Sequence, residues 1–494
     1  MIGGGPAGSS AARLLATWGH AVRLITRPAG DARLAVSLPP SCHKLFDAIG
    51  VSAAIERAGF VRSTGNTVWW GSREPRVEAF ASGARGWQVE TDVLEAVMLD
   101  EAARAGVAIE RVAGGQGGSS AFAQGASADE KDPHLHSFVL DCTGRSGVLA
   151  RAKGLRKYDD GPRTIALVAS WRRDQPWPVP DETHTLVESY ETGWAWSVPV
   201  LAAQALDRAP SAVAALGWKP SSPQALDRHI AVMVDPQRSD LARGGSAGDV
   251  YLAEIAKTAV FSELIAAASF EAGPWGWDAS TYRSDQYAGD GWLLVGDAGS
   301  FIDPLSSAGV KKALASGWLA AIVTHTCLVR PAMRQHALDF FSAREAEVEA
   351  AHARTSRHFL TEAAPSHPHP FWSERADESV KDADDTPQVS EAFEQLRRAP
   401  SLSVRPNPAI RIEPRPAVSG REIVMEQRIV DSDPSAGVRH VRGVDLLVLL
   451  ELAPSHSHVP DLFEAYLRRS SPVALPDFLY ALATAVARRW LVVE

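Results

Sequence analysis

Short apolar runs alternate with helical patterns over residues 1–160 of this 494-residue chain. A glycine-rich start leads into a helical run at residues 9–18, and a strand pattern follows at residues 21–25. Strands that alternate with helices are typical of a parallel sheet covered by helices. The pattern therefore predicts a Rossmann-like α/β domain, interrupted at residues 114–128 by a surface loop rich in Gly, Ser and Ala.

The middle of the chain changes to strand-like alternation. Residues 164–190 alternate apolar and polar positions, residues 229–234 form another strand candidate, and residues 249–268 have a helical pattern. Helical patterns return at residues 310–329 and 333–359. We therefore predict a discontinuous first domain (residues 1–160 and 281–375) into which an antiparallel-sheet substrate domain, residues 161–280, is inserted.

The last quarter has its own pattern. Residues 376–408 are polar and charged and predict a linker with a short helix at 390–397. Residues 409–494 combine a Pro-rich strand region with apolar helices at 444–452, 459–467 and 475–488 and a final strand. This indicates a small, winged-helix-like α/β module; the alternative is a helical lid that packs on the core.

Composition and charge narrow the classes of function. The hydrophobic fraction of 45% is typical of a globular protein, and no run of about 18 apolar residues predicts a membrane span. A net charge of −9 disfavours nucleic acid as a partner. The widely spaced Cys42, Cys142 and Cys327 form neither a disulfide framework nor a metal site, and no leader precedes the first glycines. We expect a cytoplasmic protein without a metal.

The first turn matches a dinucleotide-binding motif. Gly3, Gly5 and Gly8, with Ala7 between the last two, fit the pattern G-x-G-x-x-G ahead of a helix and a second strand. These glycines allow a tight turn, close approach to a pyrophosphate and close helix–strand packing. Only two residues precede Gly3, so the first strand is shortened or its start lies upstream.

A second turn, at the end of an apolar strand at residues 292–295, suits a flavin. Asp297, after Gly296, can accept a hydrogen bond from a ribityl hydroxyl. Pro304 is expected to begin a helix and to leave the amides of residues 306–310, among them Val310, facing an electron-rich ring. A third turn, which contains Asp141 and Gly144, follows another apolar strand.

These motifs, in this order, resemble the FAD-dependent monooxygenases of the aromatic-hydroxylase type, and more narrowly the branch with the flavin-dependent halogenases. The resemblance covers residues 1–370. Residues 194–199, Trp-Ala-Trp-Ser-Val-Pro, are close to the halogenase signature W-x-W-x-I-P. The family resemblance implies that FAD is bound and is reduced by NAD(P)H or by a separate flavin reductase. It also implies O2 as co-substrate and oxygen transfer through a flavin C4a-hydroperoxide.

The resemblance implies two sets of site residues. Trp194 and Trp196 share one face of a strand, where they form a wall in front of the flavin or, alternatively, only pack the sheet. The expected active-site lining is Trp194, Trp196, Ser63, Pro304, Ser307 and Gly309. The expected cofactor contacts are Gly3, Gly5, Ala7, Gly8, Thr26, Arg27, Asp141, Gly144, Gly296, Asp297, Gly309 and Val310.

Three positions depart from the family pattern. Ser63 stands where halogenases have the lysine that receives the oxidised halogen, and a neutral hydroxyl cannot form a haloamine. Thr26, followed by Arg27, replaces the acidic residue at the ribose, which leaves NADP as an alternative ligand. Thr91 replaces an arginine near the cofactor. The first departure predicts hydroxylation in place of halogenation.

The added C-terminal module predicts a bulky substrate, because a free metabolite needs only a pocket. This architecture resembles the flavoprotein monooxygenases that hydroxylate a tryptophan of quinohemoprotein amine dehydrogenase on the way to cysteine tryptophylquinone. We therefore expect a protein or peptide substrate docked by residues 409–494. The alternatives are a halogenase with a relocated lysine (Lys44, Lys311 or Lys312) and a non-catalytic flavoprotein that acts as a maturation chaperone.

Overall fold

The computed structural model describes residues 1–28, 34–112, 138–159, 161–201, 226–376, 386–398, 401, 403–430 and 437–493. These residues form two compact units. The first contains residues 1–329 and 341–380, and the second contains residues 330–340 and 381–494. The loop predicted at 114–128 lies outside the described residues.

The parallel sheet of the first unit has Ile2 at its centre. Ile2 bridges Ile25 on one side and Asp141 on the other, so this residue occupies the centre of the sheet. Its amide donates to Leu140 O at 3.0 Å, and the amide of Gly3 donates to Ile25 O at 2.8 Å. The strands, in spatial order, are Ala108–Arg111, Arg23–Thr26, Ile2, Val139–Asp141 and Trp292–Leu294, with Ala288–Gly289 antiparallel at the edge.

The described part of the first unit also contains two small sheets and a set of helices. The small sheets are Ala35–Leu38, Gly86–Glu90 and Val61–Ser63, and the pair Tyr282–Ser284 with Arg156–Tyr158. The helices are Pro6–Thr17, His43–Ile49, Ser52–Arg57, Thr91–Arg104, Val148–Ala152, Ala247–Ile255, Val260–Ile265, Gly309–Val329, Arg334–Ala363 (which begins in the second unit) and Pro370–Ser373.

A seven-stranded sheet corresponds to the predicted substrate domain, but it is larger than predicted. Its two last strands, Gly65–Trp69 and Arg76–Ala79, come from the segment assigned to the first domain. Gly65–Trp69 joins the sheet by parallel pairing with Thr185–Tyr190. The paired residues are about 120 positions apart in sequence, so no local pattern predicts this contact. The spatial order is Ser269–Asp278, Ile165–Arg172, Leu226–Val234, Gly193–Leu201, Thr185–Tyr190, Gly65–Trp69 and Arg76–Ala79.

The helical run predicted at 249–268 is two helices, Ala247–Ile255 and Val260–Ile265. The break has a specific cause. The buried carboxylate of Glu188, on the sheet, accepts hydrogen bonds from the amides of Ala259, Val260 and Phe261 at 2.6–3.2 Å. Because these amides are the orphan donors of a new helix, Glu188 starts a second helix there.

The helix Gly309–Val329 is the long core helix of the first unit. Among the described residues it is the one helix long and apolar enough to cross a membrane, a candidate that the sequence pattern did not predict. Its most apolar window is 72% buried inside the protein. A helix enclosed in this way is a core helix of the unit, since its apolar surface is already covered by protein.

The second unit has its own apolar core, formed by helices that pack on short strands. Leu396 of the helix Thr386–Arg398 packs against this core, so the helix predicted inside a linker belongs to the unit itself. Its other helices are Leu446–Leu452, Val459–Arg469 and Leu475–Ala487. Its strand pairs are Val404–Pro406 with Leu491–Val493, the hairpin Arg411–Ser419 with Glu422–Val430, and His440–Val441 with Val444–Asp445.

Candidate flavin site

The glycine turn, Gly3–Gly8, packs against both other predicted turns. A Cβ built at Gly3 would lie 2.2 Å from Cys142 O in the Asp141 turn, residues 141–147. On its other side, Ala7 Cβ lies 3.3 Å from the Cβ position of Gly296 in the Asp297 turn, residues 296–300. Three segments that are up to about 300 residues apart in sequence are therefore brought together, as the motifs predicted.

The glycines of this turn have different roles. Gly3 has φ +100°, a conformation that favours glycine, and Gly8 packs so closely that an added Cβ would lie 2.0 Å from Gly3 O. Gly5, the N-cap of the helix Pro6–Thr17, has φ −68° and ψ −175°, which any residue can adopt. A Cβ at Gly5 would meet only Glu95 Oε1, at 3.4 Å. Gly5 thus faces open space, whereas Gly3 and Gly8 serve the fold.

The helix that begins at Pro6 is open to an anion. Its N-cap makes no side-chain hydrogen bond, and its first turn contains no acidic residue. The first amides of a helix have no partner within the helix, so they can donate to a phosphate. This end of the helix fits the pyrophosphate of FAD.

Glu95 is a residue beside the glycine turn that the sequence pattern did not indicate. It lies four residues after Thr91, at the start of the helix Thr91–Arg104, and it is the side chain nearest to Gly5. Burial and the neighbouring Asp92 raise the pKa of Glu95, while Arg27 lowers it. The raised pKa reflects the burial of this carboxyl group beside the glycine turn.

Thr26 and Arg27 lie beside the glycine turn. Thr26 Oγ1 lies 2.6 Å from the Cβ position of Gly4, so the threonine packs under the turn, and its side chain is largely buried. Arg27 is exposed, and its guanidinium donates to Ser146 Oγ at 3.3 Å. Both side chains lie where a contact with the adenosine ribose is expected. Thr26 is neutral, so Arg27 is the residue of these two that carries a positive charge.

Asp141 has a structural role that differs from the predicted cofactor contact. It is fully buried, and one carboxylate oxygen accepts from Thr143 N and Oγ1 while the other accepts from Leu149 N at 2.7 Å. Because both oxygens accept hydrogen bonds inside the protein, Asp141 shapes its turn, and its contact with the cofactor stays a prediction. Gly144, with φ +58° and no neighbour within 4 Å of its Cβ position, remains open.

The segment after the Asp297 turn also differs from the prediction. Pro304 begins a short 3-10 turn, Ser307 is left-handed at φ +46°, and the long core helix begins at Gly309. Ser306 N and Ser307 N are bonded to Asp303 O and Pro304 O, so they cannot face a ring. The free amides are therefore those of the helix start, Gly309 and Val310, because the left-handed serine ends the 3-10 turn.

The tryptophan pair lies on the face of the seven-stranded sheet that packs with the flavin-facing segment. Trp194 and Trp196 stack at 5.8 Å between ring centroids. Trp194 is buried, Trp196 is partly buried, and both belong to an apolar cluster that includes Leu305 of the 3-10 turn. The opposite face of the sheet packs on the helices Ala247–Ile255 and Val260–Ile265.

Two further tryptophans on the same face were not singled out by the sequence. The register pairs Trp275 with Val168 and Trp277 with Ala166, which puts them on the Trp194 side. Trp275 and Trp196 are separated by the two strands that contribute Val168 and Ala231, and these two side chains are buried in the same apolar cluster as Trp194. At about 4.8 Å between strands, the strands of Trp275 and Trp196 are about 14 Å apart.

Ser63 does not line this face. It is fully buried, and its hydroxyl donates to Gly65 O at 3.0 Å; its place in the active-site lining stays a prediction. Two of the three alternative lysines are unsuitable for a halogen relay. Lys44 is exposed on the helix His43–Ile49, and Lys312 is buried and bonded to Asp297 Oδ1 at 3.3 Å.

Comparison with known proteins identifies the family. A model described as an FAD binding domain matches residues 1–317. The chain belongs to this family. As an FAD-binding protein, it is a flavin-dependent enzyme of the aromatic-hydroxylase and halogenase-like group.

Curated relatives of this flavoenzyme include halogenases. It is 25% identical over 381 residues to the flavin-dependent halogenase armH3 of Armillaria mellea, with 72% of this chain and 71% of that protein covered. It is 26% identical over 352 residues to a tryptophan 2-halogenase of Chondromyces crocatus, with 69% and 63% covered.

Two solved structures show the same fold over almost the whole chain. The flavin-dependent halogenase CmlS superposes with a TM-score of 0.75 at 18% identity, with 99% of this chain and 94% of that chain covered. The peptidyl tryptophan dihydroxylase QhpG superposes with a TM-score of 0.62 at 20% identity, with 99% and 98% covered. Both matches extend through the second unit.

Proposed function

We propose that this flavoenzyme hydroxylates an electron-rich aromatic ring, in a tryptophan residue of a protein or peptide, using reduced FAD and O2. The observation that carries the proposal is the sheet face with Trp194, Trp196 and Trp275, which shares an apolar cluster with the segment beside the flavin turn. The reduced flavin supplies oxygen activation when bound. The chain supplies binding, orientation and exclusion of water.

We propose hydroxylation and not halogenation because a halogenase needs a lysine that receives the oxidised halogen. The buried Ser63 cannot carry an oxidised halogen, and Lys312 is occupied by Asp297 and Ser300. The tryptophan substrate is supported by the similarity to a peptidyl tryptophan dihydroxylase over the full chain. On the further proposal that the role is quinone cofactor maturation, the substrate is a tryptophan that later becomes part of a tryptophylquinone.

We further propose that the second unit docks the substrate through its hairpin. The register puts Ile412, Pro414 and Met425 on one face of this hairpin. Ile412 and Met425 are 47% and 39% exposed, while the opposite face has the ion pairs Glu413–Arg415 and Glu426–Arg428. Exposed apolar side chains such as Ile412 and Met425 support this face of the hairpin as a protein-binding surface.

The test is intact-mass analysis of tryptophan-containing peptides and of candidate protein substrates after incubation with the enzyme, FAD, reductant and 18-oxygen gas. We expect a labelled increment of one or two oxygen atoms on a tryptophan. Incubation without reductant is the control. Product without label, or no product from any aromatic substrate while reduced flavin is consumed, would contradict hydroxylation.

A halogenase is the second candidate, because the curated relatives bear that name. Of the three lysines considered, only Lys311 remains for the relay, since it is partly buried near the start of the long core helix. The same incubation with bromide separates the two functions. A brominated product that disappears in Lys311→Met would favour the halogenase.

A further inference from the structure

Lys312 is a buried lysine inside an apolar helix. Its side chain is 1% exposed, although it lies in the first turn of the long core helix, whose other buried side chains are mainly apolar. A lysine is almost never fully buried unless it is paired, because its ammonium group loses hydration. We therefore expect Lys312 to have a partner that offsets the lost hydration of its ammonium group.

The partner of Lys312 is the Asp297 turn. Nζ lies 3.3 Å from Asp297 Oδ1 and also donates to the carbonyl oxygen of Ser300. One ammonium group thus bridges the second and the last residue of the turn. This fixes the Asp297 carboxylate and the path of the backbone together, on the side of the turn that faces the core.

One helical turn later, the same helix holds the start of the Asp297 turn. Ser316 Oγ accepts a hydrogen bond from Gly296 N at 2.8 Å. Positions 312 and 316 lie on the same helix face, because residues four apart are neighbours. The turn is therefore held at Gly296 by a serine and at Asp297 and Ser300 by a lysine.

Glu345, on the helix Arg334–Ala363, completes the cluster. It is buried, it hydrogen-bonds Ser316, and among the described atoms its Oε2 has no hydrogen-bond partner. Burial raises the pKa of Glu345 to about 7, although the charge of Lys312 lowers it. The cluster therefore contains one cation, Lys312, and two acids. Asp297 is hydrogen-bonded to Lys312, and Glu345 is the second acid.

We propose that Lys312 is a positioning residue that locks the flavin turn Gly296–Ser300 and supplies a fixed positive charge behind it. These hydrogen bonds order Asp297 before FAD binds, so less conformational entropy is lost when FAD binds. In a buried, low-dielectric setting, the charge also favours the more negative, reduced flavin over the oxidised one. This inference depends on FAD binding and not on the hydroxylation proposed above.

The test is Lys312→Met, which keeps a similar unbranched shape and removes the charge. We expect the FAD dissociation constant to rise at least tenfold by fluorescence titration. We expect a larger rise for reduced flavin under anaerobic conditions, so the midpoint potential of bound FAD becomes more negative. A merely structural role would weaken both redox states equally. Lys257→Met, on an exposed lysine paired with Glu254, is the matched control and should change neither value.

Two outcomes would overturn the proposal. One is a dissociation constant within twofold of the parent for both redox states, and the other is an equal loss for both. If Lys312→Met does not fold by circular dichroism, Glu345→Gln gives the reciprocal test in a chain that keeps Lys312. Removing this acid should shift the potential in the positive direction, and no shift or a negative shift would contradict the role of the Lys312 charge. Because neither measurement needs an aromatic substrate, a failure here is distinguishable from a failure of hydroxylation.

Discussion

The role of Gly5 gives the sharpest prediction from the structure. Gly5→Val should leave the protein folded and abolish useful FAD binding. Its backbone, at φ −68° and ψ −175°, is extended and suits a β-branched residue, and its Cβ position meets only Glu95 at 3.4 Å. The valine therefore points into the space that a pyrophosphate must enter.

The size of the effect follows from the free amides. Pro6 has no N–H, so Ala7 and Gly8 carry the first helical amides available to the ligand. Each hydrogen bond to a charged group contributes about 1.5–3 kcal/mol. Loss of both weakens binding by about 3–6 kcal/mol, which is roughly 100-fold to 10,000-fold in the dissociation constant at about 1.4 kcal/mol per tenfold.

The assay is FAD titration by fluorescence, with a thermal melt of each apoprotein. Gly161→Val is the matched control, because a Cβ at Gly161 meets nothing within 4 Å. Gly8→Ala is the opposite case: its Cβ would lie 2.0 Å from Gly3 O, so it should lower the melting temperature itself. Parental FAD affinity in folded Gly5→Val would refute the assignment of this glycine to the pyrophosphate.

Four further outcomes are expected. Chloride and bromide should leave activity unchanged and give no halogenated product by mass spectrometry, because Ser63 is buried and Lys312 is occupied; a halide-dependent product mass would contradict this. Trp196→Ala should raise KM for the aromatic substrate about tenfold through lost stacking, with FAD affinity unchanged, whereas Trp171→Phe, on the opposite sheet face, should mainly lower stability. Since burial raises the pKa of Glu345 from 4.5 to about 7, the folded state holds its proton more tightly. Stability should therefore fall as pH rises from about 5 to 8, by up to a few kcal/mol, and urea denaturation of Glu345→Gln should show a smaller fall. Met425→Glu on the hairpin should reduce turnover of a protein substrate but not FAD binding, with Glu413→Gln on the charged face as its control, and equal effects of the two would argue against docking.

The positions of the three turns were predictable from the sequence alone. A glycine pattern between a strand and a helix, or a Gly-Asp pair after a buried strand, depends on residues within a few positions of each other. The structure therefore brings Ala7 against Gly296 as the motifs predicted. The tryptophan pair was also predictable, because side chains two apart on a strand share a face.

Other site properties were decided only by tertiary structure. Asp141 and Asp297 both follow apolar strands and look alike in sequence. However, Asp141 accepts a hydrogen bond from the amide of Leu149, while Asp297 accepts one from Lys312 of the long core helix. The strand Gly65–Trp69 entered the large sheet through pairing with residues about 120 positions away. Lys312 and Glu345 read as ordinary charged residues of helices until their burial is seen. Desolvation and pairing depend on neighbours that are distant in sequence, so the electrostatics of this flavin site are a property of the fold and not of any motif.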